Sequence, residues 1–599
     1  MIPGGGGSDR PVGRGGTGRS VPALKVRLLQ TAAFLVAVAL FPPELQGFST
    51  PEAFQERGVL RDHSGLQVGD PCAEAVGDVL RTAKALAEDG ELDSAAALLE
   101  GALGQCPDHP ELLADLAGLR VMQGNPEEAE ALATRLVRIR PGSNYAWELL
   151  ALARYLRDDA HGALRAWNEA DRPMVQGLDV RVLGHHGPRA PEAGPDPDQV
   201  SGIAEGQMLT VEELVRGERR LGALPAAERA RLGYRMVSGG KATVDGTVVL
   251  GAGNPFTRPN LLAHALRLVG RRVHLVSADP LGRLERWEVS GTMDGTIHKA
   301  GLTLAHPAPG GHGVWRWGLD HETGRYGSVG LTNAIRETST SLGWSHTDWV
   351  TSTVRGEVHG RFDVRPERGT FVGVGAAWSL HPRTARGAVG AEGTGWTRIG
   401  GEAHDGNGQV PETRFGRAEI RGVFHAMRPR AWGGRTDGDG TPTGRTGGGM
   451  GVDIRGGVVA VSRGIPPDLM PRIGAGGNAP LLMRARSDLD DRGVVRPLFP
   501  GTAWAHGGIE VVRPVAAVGP VGIGVALFAD GVRVLAPHRA SAVEVHRRGA
   551  VHLGGGVRAR IPWVDGWLRA DWGIDPSDGA STFSAAWVRE HRLHRLSAH

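Results

Sequence analysis

Five residues in the C-terminal half carry the most specific chemistry in the chain: Arg484, Arg486, Glu510, Phe528 and Asp530. The two arginines sit in LLMRARSDLDDRG, a stretch too irregular for a strand. Arginines spaced by one residue project to the same side of an extended chain. A planar guanidinium binds carboxylates in a two-point fork that lysine cannot match. Downstream, alternation in GTAWAHGGIEVVRP turns Ile509 and Val511 to one face and His506 and Glu510 to the other. In VGIGVALFADGVRV it turns Ile523, Val525 and Leu527 outward and Phe528 and Asp530 inward. Two carboxylates on neighbouring strands thus share a face just after the arginine loop. The expected chemistry is a charge-assisted lock in which either arginine pins a folded-in loop, as a fixed plug or as a loop that handles substrate.

The elements that must position this lock are strands. From about Gly313 onward, short alternating segments are separated by turn residues. In VTSTVRGEVHGRFDV, Val354, Val358, Phe362 and Val364 oppose Arg355, Glu357, His359, Arg361 and Asp363. In AVHLGGGVRARI, Val551, Leu553, Val557 and Ile561 oppose His552, Arg558 and Arg560. WLRADWGI sets Arg569 and Asp571 against Leu568, Ala570, Trp572 and Ile574, and AEIRGVFHA repeats the scheme. A soluble sandwich also alternates, with its polar face in bulk water. Here the polar face mixes arginines with acids, and no strand is apolar on both faces. That suits a closed barrel in a bilayer, apolar outside and polar within. The pattern predicts a transmembrane antiparallel β-barrel over residues 256–599 with 12–16 strands, 16 favoured. Arg355, Glu357, His359, Arg361, Arg558 and Arg560 are expected to line its lumen. The stretch Gly433 to Gly451 is expected to be an exposed loop, with aspartates whose spacing fits no calcium loop.

Upstream, residues 71–173 turn to Ala, Leu and Glu at helical spacing, and they repeat. Gly90, Gly124 and Asp158 share one period; so do Ala95, Ala129 and Ala163, and Ala102, Leu136 and Ala170. Pro107 and Pro141 keep the step, while the third copy drifts to Pro173. The pieces GELDSAAALLEGALGQCP and GNPEEAEALATRLVRIRP resemble the tetratricopeptide repeat. That resemblance implies a concave docking surface, with a plain helical stack as the alternative. Cys72 opens the first helix and Cys106 closes the second, so an antiparallel pair brings them together. A disulfide there is expected to stabilise by about 3–4 kcal/mol, two free thiols being the alternative.

Between repeats and barrel, residues 174–255 hold a linker, HHGPRAPEAGPDPDQVSG, and a small α/β module. The pair His185 and His186 lacks a second ligand cluster for a metal. Thr210 is placed to cap a helix carrying Leu214 and Leu221, with Glu213 as its capping-box partner. A strand from Leu178 to Gly184 and two more, around Tyr234 to Val237 and Ala242 to Leu250, complete the unit. The pieces MLTVEEL, RRLGALP and GGKATVDGTVVL resemble a POTRA domain, the periplasmic module placed before certain outer-membrane barrels.

An inward loop with an arginine, then a strand bearing glutamate, then one with Phe-x-Asp, resembles the barrel of the BamA/TamA (bacterial surface antigen) superfamily. The likeness maps onto Arg484 or Arg486, Glu510, and Phe528 with Asp530. It departs in MRARSD, in the glycine directly after Asp530, and in the tail beyond Trp587. The resemblance implies an outer-membrane protein that assembles or translocates polypeptides. Tetratricopeptide repeats joined to a barrel also resemble polysaccharide exporters, and a porin-like channel is a third reading.

The remaining sequence narrows the class. Arg10, Arg14, Arg19, Lys25 and Arg27 precede the apolar run Leu28 to Phe41, and Pro42-Pro43 ends it. Residues 1–47 therefore read as a secretory signal, with an uncleaved anchor or a misplaced start codon as the alternatives. The expected location is the bacterial outer membrane, with the N-terminal domains in the periplasm. The formal net charge is only +3 and the arginines lie among acids, which argues against nucleic acid as a partner. No H-E-x-x-H, phosphate loop or G-x-S-x-G elbow occurs, so no enzymatic role and no cofactor are expected. The expected partners are the lipid bilayer and an unfolded or extended client polypeptide, or a periplasmic partner protein.

Overall fold

The computed structural model describes residues 71–184, 187–188, 196–251, 272–327, 334–382, 386–401, 412–427, 449–474, 481–518, 521–537, 548–560 and 567–588. The signal-like segment, His185 and His186, most of Gly433 to Gly451, and the tail beyond Val588 lie outside them. Six helices come first: α1 Pro71–Glu88, α2 Leu92–Gln105, α3 Pro110–Met122, α4 Pro126–Ile139, α5 Asn144–Leu156 and α6 Ala160–Asn168. They form three antiparallel pairs. The repeated positions explain the pairing. Gly90, Gly124 and Asp158 hold φ of 84°, 73° and 62°, the left-handed turn that links the two helices of each pair. Ala95, Ala129 and Ala163 are buried where the paired backbones approach. Cys106, at the end of α2, is disulfide-bonded.

The module follows as β1 Met174–Gly184, β2 Gly187–Pro188, α7 Pro197–Ser201, α8 Val211–Ala223, β3 Ala227–Val237 and β4 Lys241–Leu250. Its sheet runs β2-β1-β4-β3, with β1 parallel to β4 and β3 antiparallel to it. The linker stretch holds β2 and α7 rather than being structureless throughout. The capping box at Thr210 and Glu213 is present, with Glu213 N–H donating to Thr210 Oγ1 at 3.2 Å and Thr210 N–H donating to Glu213 Oε2 at 3.0 Å. β3 begins seven residues before Tyr234. Glu228, Arg229 and Arg231 are good helix formers, but pairing along β4 overrides that preference. The repeats share one apolar core with the module, in which Tyr155, Trp167 and Tyr234 pack ring against ring.

The rest is one sheet of fifteen strands among the described residues, each antiparallel to its neighbours in chain order. These are β5 Arg272–Ala278, β6 Arg286–Asp294, β7 Ile297–Pro307, β8 Val314–Gly327, β9 Ala334–Trp349, β10 Val354–Arg365, β11 Gly369–Leu380, β12 Gly387–Gly400, β13 Arg414–Met427 and β14 Gly451–Val461. A long loop, 462–500, carries the two-residue strands β15 Ile473–Gly474 and β16 Leu481–Leu482. The sheet then resumes with β17 Gly501–Val518, β18 Val521–Pro537, β19 Gly549–Arg560, β20 Trp567–Ile574 and β21 Ser581–Val588. Strands begin at Arg272, ahead of Gly313.

The sheet is curled into a wall around the 462–500 loop, and distances require it. Ala485 O accepts from Thr582 Oγ1 of β21 at 2.9 Å, and Gly493 O accepts from Thr296 N–H, between β6 and β7, at 2.9 Å. Eight residues of chain reach at most about 28 Å. β21 and β7 stand twelve strand steps apart in the sheet order, which in a flat sheet is about 58 Å. Only a barrel-like closure brings both within reach of one short segment. The side chains agree, since Leu527 is 69% exposed on the outside and Asp530 1% exposed on the inside.

Candidate functional site: an arginine cage in the lumen

The loop enters from the end of the barrel opposite the module and folds inward. Its arginines diverge. Residues 484 and 485 form a turn, in which Arg486 N–H donates to Met483 O at 3.3 Å, so the one-residue spacing does not put both guanidiniums on one side. Arg484 turns into the lumen and is fully buried. Arg486 turns to the rim, where it donates to Asp575 at 3.1 Å and also pairs with Asp578 in the β20–β21 turn.

Three carboxylates receive Arg484. Its Nε and Nη2 fork onto Asp530 of β18 at 2.6 and 2.9 Å. Its Nη1 donates to Glu510 of β17 at 2.7 Å and to Asp571 of β20 at 3.3 Å. The guanidinium carbon lies 3.4 Å from the centroid of the Phe528 ring, which stacks beneath the plane. Glu510, Phe528 and Asp530 are thereby gathered around Arg484, while Arg486 stands apart from them.

The wall supplies its own cations. Arg558 of β19 donates to Glu510 Oε1 at 2.7 Å and to Asp571 Oδ1 at 2.6 Å. Arg455 of β14 donates to Asp530 Oδ1 at 2.8 Å, and Arg569 lies 3.0 Å from Asp571. Three wall arginines thus face three wall carboxylates, and Arg484 is a fourth cation brought by the loop. The cage is charge-balanced when the loop is absent. An isolated buried charge is costly, and Glu510, Asp530 and Asp571 each keep a wall arginine independently of the loop.

Close backbone approach seats the rest of the turn. A Cβ on Gly573 of β20 would meet the Arg484 carbonyl carbon and oxygen at 2.6 Å, so only glycine fits. Ala485 N–H donates to His552 Nδ1 at 3.1 Å. Farther along, Arg472 forks onto Asp488 at 2.6 and 2.9 Å and reaches Asp294 of β6 at 3.0 Å. Arg365 of β10 donates to Asp468 at 2.7 Å. The loop is therefore pinned to both sides of the wall.

Of the remaining lumen residues, Arg355 and Glu357 are buried, and His359, Arg361 and Arg560 are half-buried. Arg361 Nε donates to Asp363 at 2.5 Å and His359 Nε2 lies 2.8 Å from Thr394 Oγ1. Sequence reasoning did not assign Asp571 or Arg455 to the cage, nor Gly573 to the loop contact. The inward parity of Asp571 was its one available signal. No cluster of metal-binding side chains occurs among the described residues.

At the opposite mouth the module docks on the barrel. Arg220 of α8 forks onto Asp348 of β9 at 2.8 and 3.1 Å. Glu212 accepts from the backbone N–H and hydroxyl of Ser352, each at 2.5 Å. Arg219 donates to His381 O at 3.1 Å and stacks 4.7 Å from the Trp349 ring centroid.

Fold and site define a repeat-bearing β-barrel with a loop locked in its lumen. Residues 86–153 match the tetratricopeptide repeat family. No curated protein matches the chain. Similar solved structures include BamA from Haemophilus ducreyi lacking POTRA domains 1–3, at 9% identity and a TM-score of 0.38, covering 69% of this chain and 84% of that one. The globular C-terminal domain of P. aeruginosa LpoP is 35% identical over 18% of this chain and 99% of that one, with a TM-score of 0.16. The Sgt2 tetratricopeptide domain from Aspergillus fumigatus is 26% identical over 16% and 62%, with a TM-score of 0.16. The repeats read from the sequence thus have a family counterpart over residues 86–153.

Proposed function

We propose that the protein is an outer-membrane barrel that assembles or translocates polypeptides, with its repeats and POTRA-like module in the periplasm. The observation that carries this reading is the seat of the loop: Arg484 enters a cage whose wall arginines already match its carboxylates. One buried arginine, offered to a cage that is already charge-balanced, suits a plug that moves better than one built in permanently. The module supports the same reading. It sits at the mouth opposite the loop, and its β3 lies at the edge of its sheet, the position at which an extended client adds a strand. The repeats offer a second surface for a client or a periplasmic partner.

Depletion of the protein from its native cell tests this function. The expected result is loss of other barrel proteins, or of one secreted polypeptide, from the outer membrane. An intact outer-membrane protein profile with surface polysaccharide alone reduced would contradict it.

A further inference from the structure

The outer face of β7, β8 and β9 changes character along its length. At the module end, Trp315, Trp317 and Trp344 cluster with His346, with Trp315 stacked 6.2 Å from Trp317 and 4.8 Å from the His346 ring. Such an aromatic belt marks a membrane interface. Leu302, Leu319 and Leu342 form the next outward row, all exposed. Above them come two polar rows that satisfy themselves across the strands. His321 Nδ1 lies 2.9 Å from Thr340 Oγ1, and Thr323 Oγ1 lies 3.3 Å from Thr338 Oγ1.

The row beyond is different. Arg325 and Arg336 are direct cross-strand partners, and both are exposed on the outer face. Like charges placed opposite one another repel. Among the described residues neither guanidinium has an ion pair or hydrogen bond. The carboxylates beside them point into the lumen, where Glu322 accepts from Tyr326 at 2.8 Å and Glu337 is forked by Arg368 at 2.6 and 2.9 Å. Glu367 stands at the rim of the patch and, among the described residues, accepts from Thr338 N–H alone, at 3.4 Å. His298, exposed on β7, flanks the same face.

The position of this row fixes its surroundings. Arg325 lies ten residues beyond Trp315 on one strand. That is about 34 Å along the strand, or about 25 Å across a bilayer at the usual barrel tilt, which matches the height of an apolar band. If the tryptophans stand at one interface, the arginine pair stands at the headgroup level of the other.

We propose that Arg325 and Arg336 together bind a phosphate of a lipid headgroup in the leaflet facing away from the repeats. The proposal rests on the barrel being membrane-embedded and not on what it transports. Two adjacent guanidiniums grip a phosphate through charge-assisted forks, and the anion cancels their mutual repulsion.

The full chain in nanodiscs, offered phosphatidylglycerol or phosphatidylcholine, tests this by lipid retention in native mass spectrometry. The unaltered protein should retain phosphatidylglycerol preferentially. Arg325→Gln with Arg336→Gln should reduce that preference about tenfold, with the heat-modifiable gel mobility of the folded barrel unchanged. Arg325→Lys with Arg336→Lys, which keeps the charge and loses the fork, should give an intermediate loss. Equal retention by the glutamine variant overturns the proposal, as does displacement of the lipid by millimolar inorganic phosphate. Failure of the membrane reading itself is distinguishable, because the chain would then stay folded and monomeric without detergent.

Discussion

Arg484 grips Asp530 at two points, 2.6 and 2.9 Å, while Arg455 of the wall holds the same carboxylate from another side at 2.8 Å. The carboxylate therefore keeps a cation whether or not the loop is in place. This arrangement separates two contributions, one to the seating of the loop and one to the integrity of the wall.

Asp530→Asn should damage the barrel more than Arg484→Ala. The first leaves four arginines facing two carboxylates, and breaking a buried pair in this way costs about 3–5 kcal/mol. The second leaves three against three and should cost about 1.5–3 kcal/mol, the worth of hydrogen bonds to charged groups. Urea titration of the folded barrel in detergent, followed by gel mobility, checks the order.

Arg484→Ala should also open the lumen, whereas Arg486→Ala should not. Arg486 is partly exposed at the rim, where ion pairs contribute about 1 kcal/mol or less. Single-channel conductance in planar bilayers is expected to rise for the first variant and stay near the parent value for the second.

Gly573→Ala should mimic release of the loop without touching any charge. The added methyl would fall 2.6 Å from the Arg484 carbonyl, too close for any rotamer to relieve. Conductance should match that of Arg484→Ala, and parental conductance would show that the loop is not seated against β20.

The Arg220–Asp348 fork should set how firmly the module holds the barrel mouth. Asp348→Arg is expected to speed proteolytic separation of the module from the barrel. Combining it with Arg220→Asp should restore resistance. Failure of the charge swap to restore protection would contradict the contact.

Much of this was legible in sequence because two kinds of periodicity leave direct marks. The helical pairs recur because each needs a left-handed residue at one turn, which Gly90, Gly124 and Asp158 supply. The barrel wall is legible because parity decides inside from outside, as at Leu527 and Asp530. Parity says nothing about which distant strands face each other across a lumen. Asp571 and Arg455 therefore read as inward without being assignable to Arg484. The separate paths of Arg484 and Arg486 depended on a turn at 484–485 that local spacing does not specify. β3 was foreshortened for the opposite reason, because its Glu and Arg residues favour helix until β4 pairs with them.

The central claim is that the 462–500 loop occupies the lumen of a membrane-embedded barrel with Arg484 at its tip. The most direct measurement is cross-linking of Ala485→Cys to Thr582→Cys, in the full chain extracted from membranes and shown to be folded by heat-modifiable mobility. Ala485 O and Thr582 Oγ1 lie 2.9 Å apart, which puts the two positions within reach of a short thiol-to-thiol cross-linker, so efficient cross-linking is predicted, falling sharply when Arg484→Ala is added. A folded barrel in which the two cysteines fail to join would contradict the account.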